Sequence, residues 1–502
     1  MKQGIPQYVI GPFMRRVWRL ATRLGIVLMV FSLAACSSIL GGNGVYTSQT
    51  RDGQISAVPA GTDPEDAVIG RREHPLIVAA YGGIYSHQRT EIMLARIVSR
   101  LLGAANQSQT SFTITILDSP QVNAFALPGG YIYVTRGILA LANDSSELAA
   151  VLAHEIAHVT LRHARARTNR VATSQLVDQV ITGVLGGDIE TDQTAARSRL
   201  SLAAFSQAQE LAADEEGVKI AGLAGYDPHA AGRFLGTMAR FASFAEGEAE
   251  GGDDFLATHP STPNRIQRAV QAARGFGAPG LGETDRAGYL AAIDGIAFGD
   301  NPEEGIVVGR QFIHPALEFT FTAPRRYTLQ NSPTAVVGIA GDGEAVRFDS
   351  AEVPDNMALT DYLKSGWIAG LDENSVVRER HNGVSMASGV ARTDQWAFRV
   401  TAVRFEGEVY RFIFAARENN EEFIRAAEET IRSFRRVRAG DLRSIRSVSV
   451  EVVTARRGET ADSMAERMGR IPEARETFYI LNNLFAGDEL IPGQSYKIVS
   501  VK

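Results

Sequence analysis

Cysteine is almost missing from this sequence: Cys36 is the only one in 502 residues. A single thiol excludes an internal disulfide framework, so stability has to come from packed cores. Long apolar runs are scarce too. The one candidate, Ile26 to Leu33, is short for a membrane span. A concentrated basic face is also absent, and the formal charge is −6, so the chain is not read as a nucleic-acid binder. Long internal repeats are missing as well, which argues against a solenoid.

What is present is a chain with 45% hydrophobic and 22% charged residues, long enough for several domains with sizeable cores. At the start, Lys2, Arg15, Arg16, Arg19 and Arg23 precede the apolar run and then Ala34-Ala35-Cys36, the pattern of a signal peptide over residues 1–35. Leu33-Ala34-Ala35-Cys36 resembles a bacterial lipobox, which implies lipidation of Cys36 and a lipid-anchored protein on the periplasmic side of the cell envelope. The alternative is a buried Cys36 inside an uncleaved membrane helix. Ser37 after the cysteine resembles an outer-membrane destination. Loss of five basic and no acidic residues with the leader takes the formal charge to −11. Residues 36–70, rich in Gly, Ser, Thr, Asp and Pro without periodicity, predict a flexible tether.

Downstream, apolar spacing predicts a helix from about Pro75 to Leu102, and alternation predicts strands over Ser111 to Leu117 and Tyr131 to Thr135. Asp144 with Glu147 three residues on predicts a capped helix start, the helix running to about His163. A second helix is expected from about Gln207 to Ala224. Glu246 to Asp254 is acidic and Gly-rich, a loop by composition.

The chemistry sits on the first of those helices, as His154-Glu155-Ile156-Ala157-His158. Residues four apart share a helix face, so both imidazoles can bind one Zn2+ at about 2.0–2.1 Å. Glu155 borders that face, within reach of the water in an open coordination position, and can act as general base. The alternative is a chance match of three positions. A third protein donor is available in Glu210, with Asp214 one turn later to accept a hydrogen from a ligating imidazole. Alone, Glu210 would be a solvated helix residue; paired with the motif it completes a His-His-Glu site. His163 is expected to face away from the pair, and His229, in a loop, is not expected to bind.

Four blocks, Asn123 to Val134, the helix around His154 to His158, Glu210 to Asp214, and Thr258 to Arg265, resemble the zinc metallopeptidases of the HtpX and BepA type, the family that also holds the CAAX prenyl proteases. The resemblance covers about residues 70–275 and is to the soluble periplasmic branch. It implies zinc bound by His154, His158 and Glu210, with Glu155 as base and Asp214 as a supporting or proton-donating group. It also implies His259 as a fourth ligand or switch that holds the enzyme off, against a structural histidine near the cleft. Tyr131, Ile132, Tyr133 and Val134 would form an edge strand along which an extended peptide adds; the alternative is an ordinary internal strand. Gln207 and Gln209 stand where relatives often carry charge.

The expected architecture is multidomain α+β: a mainly helical zincin-like protease domain with a small sheet at 71–300, an α+β domain at 305–437, then a small module at 448–502. The middle domain is loosely similar to PsbP/Mog1-type sheets and shows no catalytic constellation. The last unit, with Leu481-Asn482 and Pro492-Gly493-Gln494, resembles a LysM βααβ module, which implies peptidoglycan as a partner; the alternative is a LysM-shaped module that only packs. The expected function is a zinc endopeptidase of the cell envelope acting on unfolded or misassembled proteins. The alternative is an envelope scaffold or chaperone with structural zinc, bound to peptidoglycan.

Overall fold

The computed structural model describes residues 64–107, 112–163, 205–248, 259, 262–340, 343–443, 445, 447–469, 471 and 473–501. Cys36, the leader and nearly all of the expected tether lie outside them. Two compact units are present: one is Val307–Leu442, and the other gathers the described residues from 64 to 306 and from 443 to 501.

The larger unit opens with α1 (Pro64–Ala80) and α2 (Gln88–Ala104) where a single helix from Pro75 was expected. Gly82 and Gly83, both at positive φ, break the helix between them, and Pro75 lies inside α1 rather than at its start. The first turns of α1 also take up residues 64–70, assigned above to the tether. A three-stranded sheet follows: β1 (Thr113–Leu117), β2 (Ala124–Leu127) and β3 (Tyr131–Thr135). Its order is β1-β3-β2, with β3 parallel to β1 and antiparallel to β2.

That order corrects the edge-strand expectation. Tyr131, Ile132, Tyr133 and Val134 belong to the central strand, wholly buried and hydrogen-bonded on both sides. Sheet neighbours are set by long-range pairing, which a strand's own alternation does not encode. Among the described residues β1 and β2 are the outer strands of this sheet, and β2 is the one next to the helix carrying the histidines.

Next come α3 (Arg136–Leu141), α4 (Ser145–Thr160), α5 (Gln207–Leu223), α6 (Ala230–Glu248), α7 (Pro263–Arg274), α8 (Arg286–Ile293) and the short β4 (Ala297–Phe298). Among the described residues, no helix is long and apolar enough to cross a membrane.

The second unit is mostly antiparallel sheet. Strands β5 (Ile306–Val308), β6 (Gln311–His314) and β7 (Phe319–Thr322) form a small sheet completed by a two-residue strand at Arg435–Arg436. Strands β8 (Tyr327–Asn331), β9 (Ala335–Ala340), β10 (Ala345–Ala351), β11 (Leu371–His381), β12 (Val384–Arg392), β13 (Ala397–Phe405) and β14 (Glu408–Ala416) form a seven-stranded sheet, order β11-β12-β13-β14-β10-β9-β8. Helix α9 (Leu359–Leu363) covers one face, and α10 (Glu421–Ser433) packs over the other. Phe312, Phe319, Phe321, Phe348 and Phe412 interlock in the core beneath α10.

The tail runs β15 (Val448–Thr454), α11 (Ala461–Glu466), α12 (Ala474–Leu481) and β16 (Ser495–Val501), a βααβ order with the two strands antiparallel. Its boundary differs from the expected separate module. Strand β15 pairs with β4, and Val450, Met464, Phe478, Tyr496 and Val499 share one core with Leu139, Tyr289 and Ile293. Sequence texture marks where a fold changes character, but not whether two stretches share a core.

Candidate metal centre

Helix α4 is held at its start by Asp144, whose Oδ1 accepts the Glu147 amide at 2.8 Å, while Glu147 Oε2 accepts the Asn143 amide at 2.9 Å. This reciprocal cap fixes where the helix begins and therefore which face its histidines present. From Ser145 to His158 every residue is buried, consistent with the run of Ala, Leu, Val and Ile around the two histidines. Helix α5 crosses it closely at Gly217, where an added Cβ would sit 3.0 Å from the His154 amide nitrogen. The Ser206 and Gln209 capping box starts α5 one turn before Glu210. Thr262, capping α7 with Pro263 at its first turn, sets the chain direction just after His259.

These elements bring His154, His158, Glu210 and His259 together as four buried donors within 4.8 Å of one another. His154 Nε2 lies 3.0 Å from His158 Nε2 and 3.3 Å from His259 Nδ1. Glu210 Oε1 lies 2.9 Å from His259 Nδ1 and 3.5 Å from His158 Nε2, and Oε2 is 3.5 Å from His154 Nε2. Four donors about 2.0–2.1 Å from one tetrahedral ion would be about 3.3 Å apart. The observed separations bracket that value, so the donor set fits zinc by geometry as well as by chemistry.

The surroundings aim these donors. His154 Nδ1 faces Asp214 Oδ1 at 3.0 Å, and Asp214 accepts from Arg265 through both oxygens at 2.7 Å. Arg265 also reaches Glu210 Oε2 at 2.8 Å, tying ligand and supporting carboxylate to one guanidinium. Burial disfavours charge on His154, yet the Asp214 and Glu210 carboxylates outweigh it and push its pKa up to about 10. Burial would raise the Glu210 pKa, but His259 and His154 hold it well below the usual carboxylate range. Asp214 is likewise lowered against burial by Arg265 and His154. His158 is held well below its ordinary value by burial and then by the neighbouring His154 and His259.

Glu155 is buried beside this group, its Oε1 3.6 Å from His259 Nε2. His259 therefore addresses Glu210 with one ring nitrogen and Glu155 with the other. Three participants escaped the sequence reading. Arg265 ends the Thr258 to Arg265 stretch, whose pattern assigns it no role. Phe205 stacks on His158 with ring centroids 3.7 Å apart. His163, expected to face away, comes within 3.0 Å of His158 Nδ1. The reason is local: the helix ends at Thr160 and Arg162 takes φ 55°, turning the chain back so that His163 meets the outer nitrogen of His158. His229 instead contacts the Gly277 carbonyl at 3.0 Å, away from the donors.

Residues 88–273, which contain all of these groups, match the family described as Peptidase family M48. The chain carries an M48 peptidase domain. M48 peptidases are zinc-dependent, in agreement with the donor geometry. Among its relatives, the mitochondrial metalloendopeptidase OMA1 of Schizosaccharomyces pombe is 29% identical over 197 residues, 38% of this chain and 56% of that protein. The beta-barrel assembly-enhancing protease of Yersinia pestis is 32% identical over 187 residues, 35% of this chain and 37% of its own length. Its Escherichia coli counterpart is 31% identical over 186 residues, again 35% and 37%. The chain thus spans between about a third and just over half of these relatives' lengths. Among solved structures, cyanobacterial PsbP from Synechocystis covers 26% of this chain and 95% of its own at 14% identity and a TM-score of 0.22, too slight a likeness to argue from.

Proposed function

We propose that the chain is a zinc-dependent endopeptidase of the bacterial cell envelope that cleaves misfolded or misassembled envelope proteins. The observation that carries the reading is Glu155, buried beside four convergent donors in an M48 domain, since a purely structural metal needs no base. Zinc, when bound, would polarise the scissile carbonyl and acidify a water. Glu155 can take the proton from that water and pass it to the leaving amine. Asp214, fixed by Arg265, keeps His154 in one orientation and tautomer. An extended substrate would add to the open side of β2, using main-chain hydrogen bonds that read little sequence. That mode suits unfolded substrates, and the likeness to bacterial beta-barrel assembly-enhancing proteases favours envelope assembly as the setting.

His259 supports a restrained form of this enzyme. With Nδ1 among the donors and Nε2 toward Glu155, it stands where water and base would otherwise meet. The lipobox-like Leu33 to Cys36 is the proposed anchor to the outer membrane, and the βααβ tail a candidate contact to peptidoglycan. The test is to purify the mature chain and its Glu155→Gln and His259→Ala variants, then measure zinc content and cleavage of an unfolded protein. Glu155→Gln should keep zinc and lose cleavage, and His259→Ala should cleave faster than the parent. Equal cleavage by parent and Glu155→Gln would overturn the reading; zinc without cleavage in all three would favour a scaffold.

A further inference from the structure

The tail at 448–501 lies outside the matched M48 residues, yet it is built against the end of the helix that leads into the one carrying the metal donors. Lys497 is the clearest sign. It is 0% exposed, and its ammonium lies 2.7, 3.1 and 2.7 Å from the carbonyl oxygens of Ala140, Leu141 and Ala142. Three acceptors match the three hydrogens of a lysine ammonium. These carbonyls end α3, where helices leave acceptors without partners and where a positive charge is favoured. Only residues 142–144 separate that end from α4.

The same link is held from other directions. Arg286 on α8 donates to the Asn143 carbonyl at 2.9 Å and to the Ser495 carbonyl at 3.3 Å, joining the link to β16. Asn482 fixes the backbone of Lys497 both ways, accepting its amide and donating to its carbonyl, each at 2.7 Å. At the other strand, the Val450 amide donates to Ile296 and its carbonyl accepts from Gly295, at 2.9 and 2.8 Å. The tail also grips α6: Arg240 donates to the Leu484 carbonyl at 3.0 Å, bonds Asn483 Oδ1, and lies 4.3 Å over the Phe485 ring. Nearby, burial and then Asp144 push the Glu147 carboxyl up to about 7, while burial and then Arg286 pull the Lys497 amine well below its ordinary value, so the geometry of its three carbonyl partners is what holds it there.

We propose that residues 448–501 are a positioning clamp on the metal helix, with Lys497 as its fixed point, and not a module that folds and acts apart. The inference rests on the metal-site reading given above, but not on cleavage. Lys497 is a positioning residue: it acts through 140–142 and the start of α4 on the direction in which His154 and His158 point.

The test uses the full mature chain and zinc affinity measured by competition with a chromophoric chelator, together with hydrogen exchange of the α4 amides. Lys497→Met keeps the apolar stem and removes the three donors. It should weaken zinc binding roughly tenfold, the low end for groups that support metal ligands, and speed exchange across residues 145–160. Ile491→Ala, exposed on the same tail, should change neither. If Lys497→Met does not fold, Asn482→Ala loosens the same lysine more gently and is judged by the same two readouts. Unchanged zinc affinity and unchanged α4 exchange, with faster exchange confined to 448–501, would overturn the clamp and restore an independent module. A failure of the peptidase reading would appear instead as absent cleavage with these metal and exchange effects intact.

Discussion

Both units bury an aspartate under a forked arginine, and they use it differently. In the sheet unit, Asp349 on β10 receives Arg411 at 2.7 and 2.9 Å and Arg347 at 2.8 Å, with Arg411 lying 5.0 Å over Trp367. Those charges are directed at one another. In the larger unit, Asp214 receives Arg265 just as closely, but its Oδ1 also faces His154 Nδ1, turning Nε2 toward three further donors. Buried charge alone is therefore no mark of a site. Convergence of several lone pairs on one point is, and only the second network produces it.

The largest expected effect follows from cutting each network once. Glu210→Ala removes a donor from the converging set, so zinc content should fall close to nothing and cleavage should vanish with it. Asp349→Ala strands buried Arg411, at a cost of about 3–5 kcal/mol in the stability of its unit, but zinc content and cleavage per folded molecule should stay at the parental level. Metal analysis on the two purified variants, with urea unfolding of each, checks the contrast. Loss of zinc from Asp349→Ala would break it.

A subtler cut goes through the arginines. Arg265→Lys keeps the charge but loses the planar fork that holds both Asp214 oxygens and reaches Glu210, so the exchange is not conservative there. Zinc affinity should drop about 10- to 100-fold, the range for groups that orient metal ligands. A competition titration reads this directly, and an unchanged affinity would remove Arg265 from the site.

What could be read in advance divides along the same line. His154 and His158, and Glu210 with Asp214, were legible because a helical period ties four-residue spacing to a shared face. The caps at Asp144 and Ser206 obey rules spanning a few residues. Arg265 was not legible as a working residue, because its role depends on α7 arriving beside α5 from a distant part of the chain. Strand β3 looked like an edge because alternation says which side faces a core but not which strands flank it. His163 was misplaced by one left-handed residue, Arg162, that no periodicity anticipates. The Asp349 network was missed for the opposite reason: ordinary β-strand residues meet there only once β10 and β14 are paired.

Acid should weaken the sheet unit by a smaller amount, through one histidine. His314 lies buried in the sheet unit, and burial lowers its pKa to about 3, so the folded state prefers it neutral. In the unfolded chain it takes a proton below about 6.5. As pH falls from about 6.5 toward 3, the unfolded state therefore binds the proton first, and stability falls by at most about 1.4 kcal/mol per pH unit. His314→Asn keeps an acceptor for the Leu317 amide, which the imidazole Nδ1 accepts at 3.3 Å, and has nothing to titrate. Urea unfolding at pH 7 and pH 5 should show parental stability dropping by up to about 2 kcal/mol more than that of the variant. Equal drops would mean His314 does not carry the acid sensitivity.

The smallest effect concerns the two imidazoles of α4, which are backed unequally. His154 has the Asp214 carboxylate behind it, itself locked by Arg265; His158 has the His163 ring at 3.0 Å and Phe205 stacked on its face. For His158 to offer Nε2 to a metal, its Nδ1 must carry the hydrogen, which His163 Nδ1 can accept. A neutral ring strengthens the basicity of its partner less than a carboxylate does, because a hydrogen bond to a charged acceptor is about twice as strong. His163→Ala should therefore weaken zinc binding only about threefold, below the usual range for supporting groups, whereas Asp214→Ala should fall inside that range or beyond it, since it also strands Arg265. His163→Asn, which keeps an acceptor near the same place, should recover most of the loss. Parallel chelator titrations of the three variants decide the matter: if His163→Ala costs as much as Asp214→Ala, the two imidazoles are supported equally, and the asymmetry in their surroundings has no energetic consequence for metal binding.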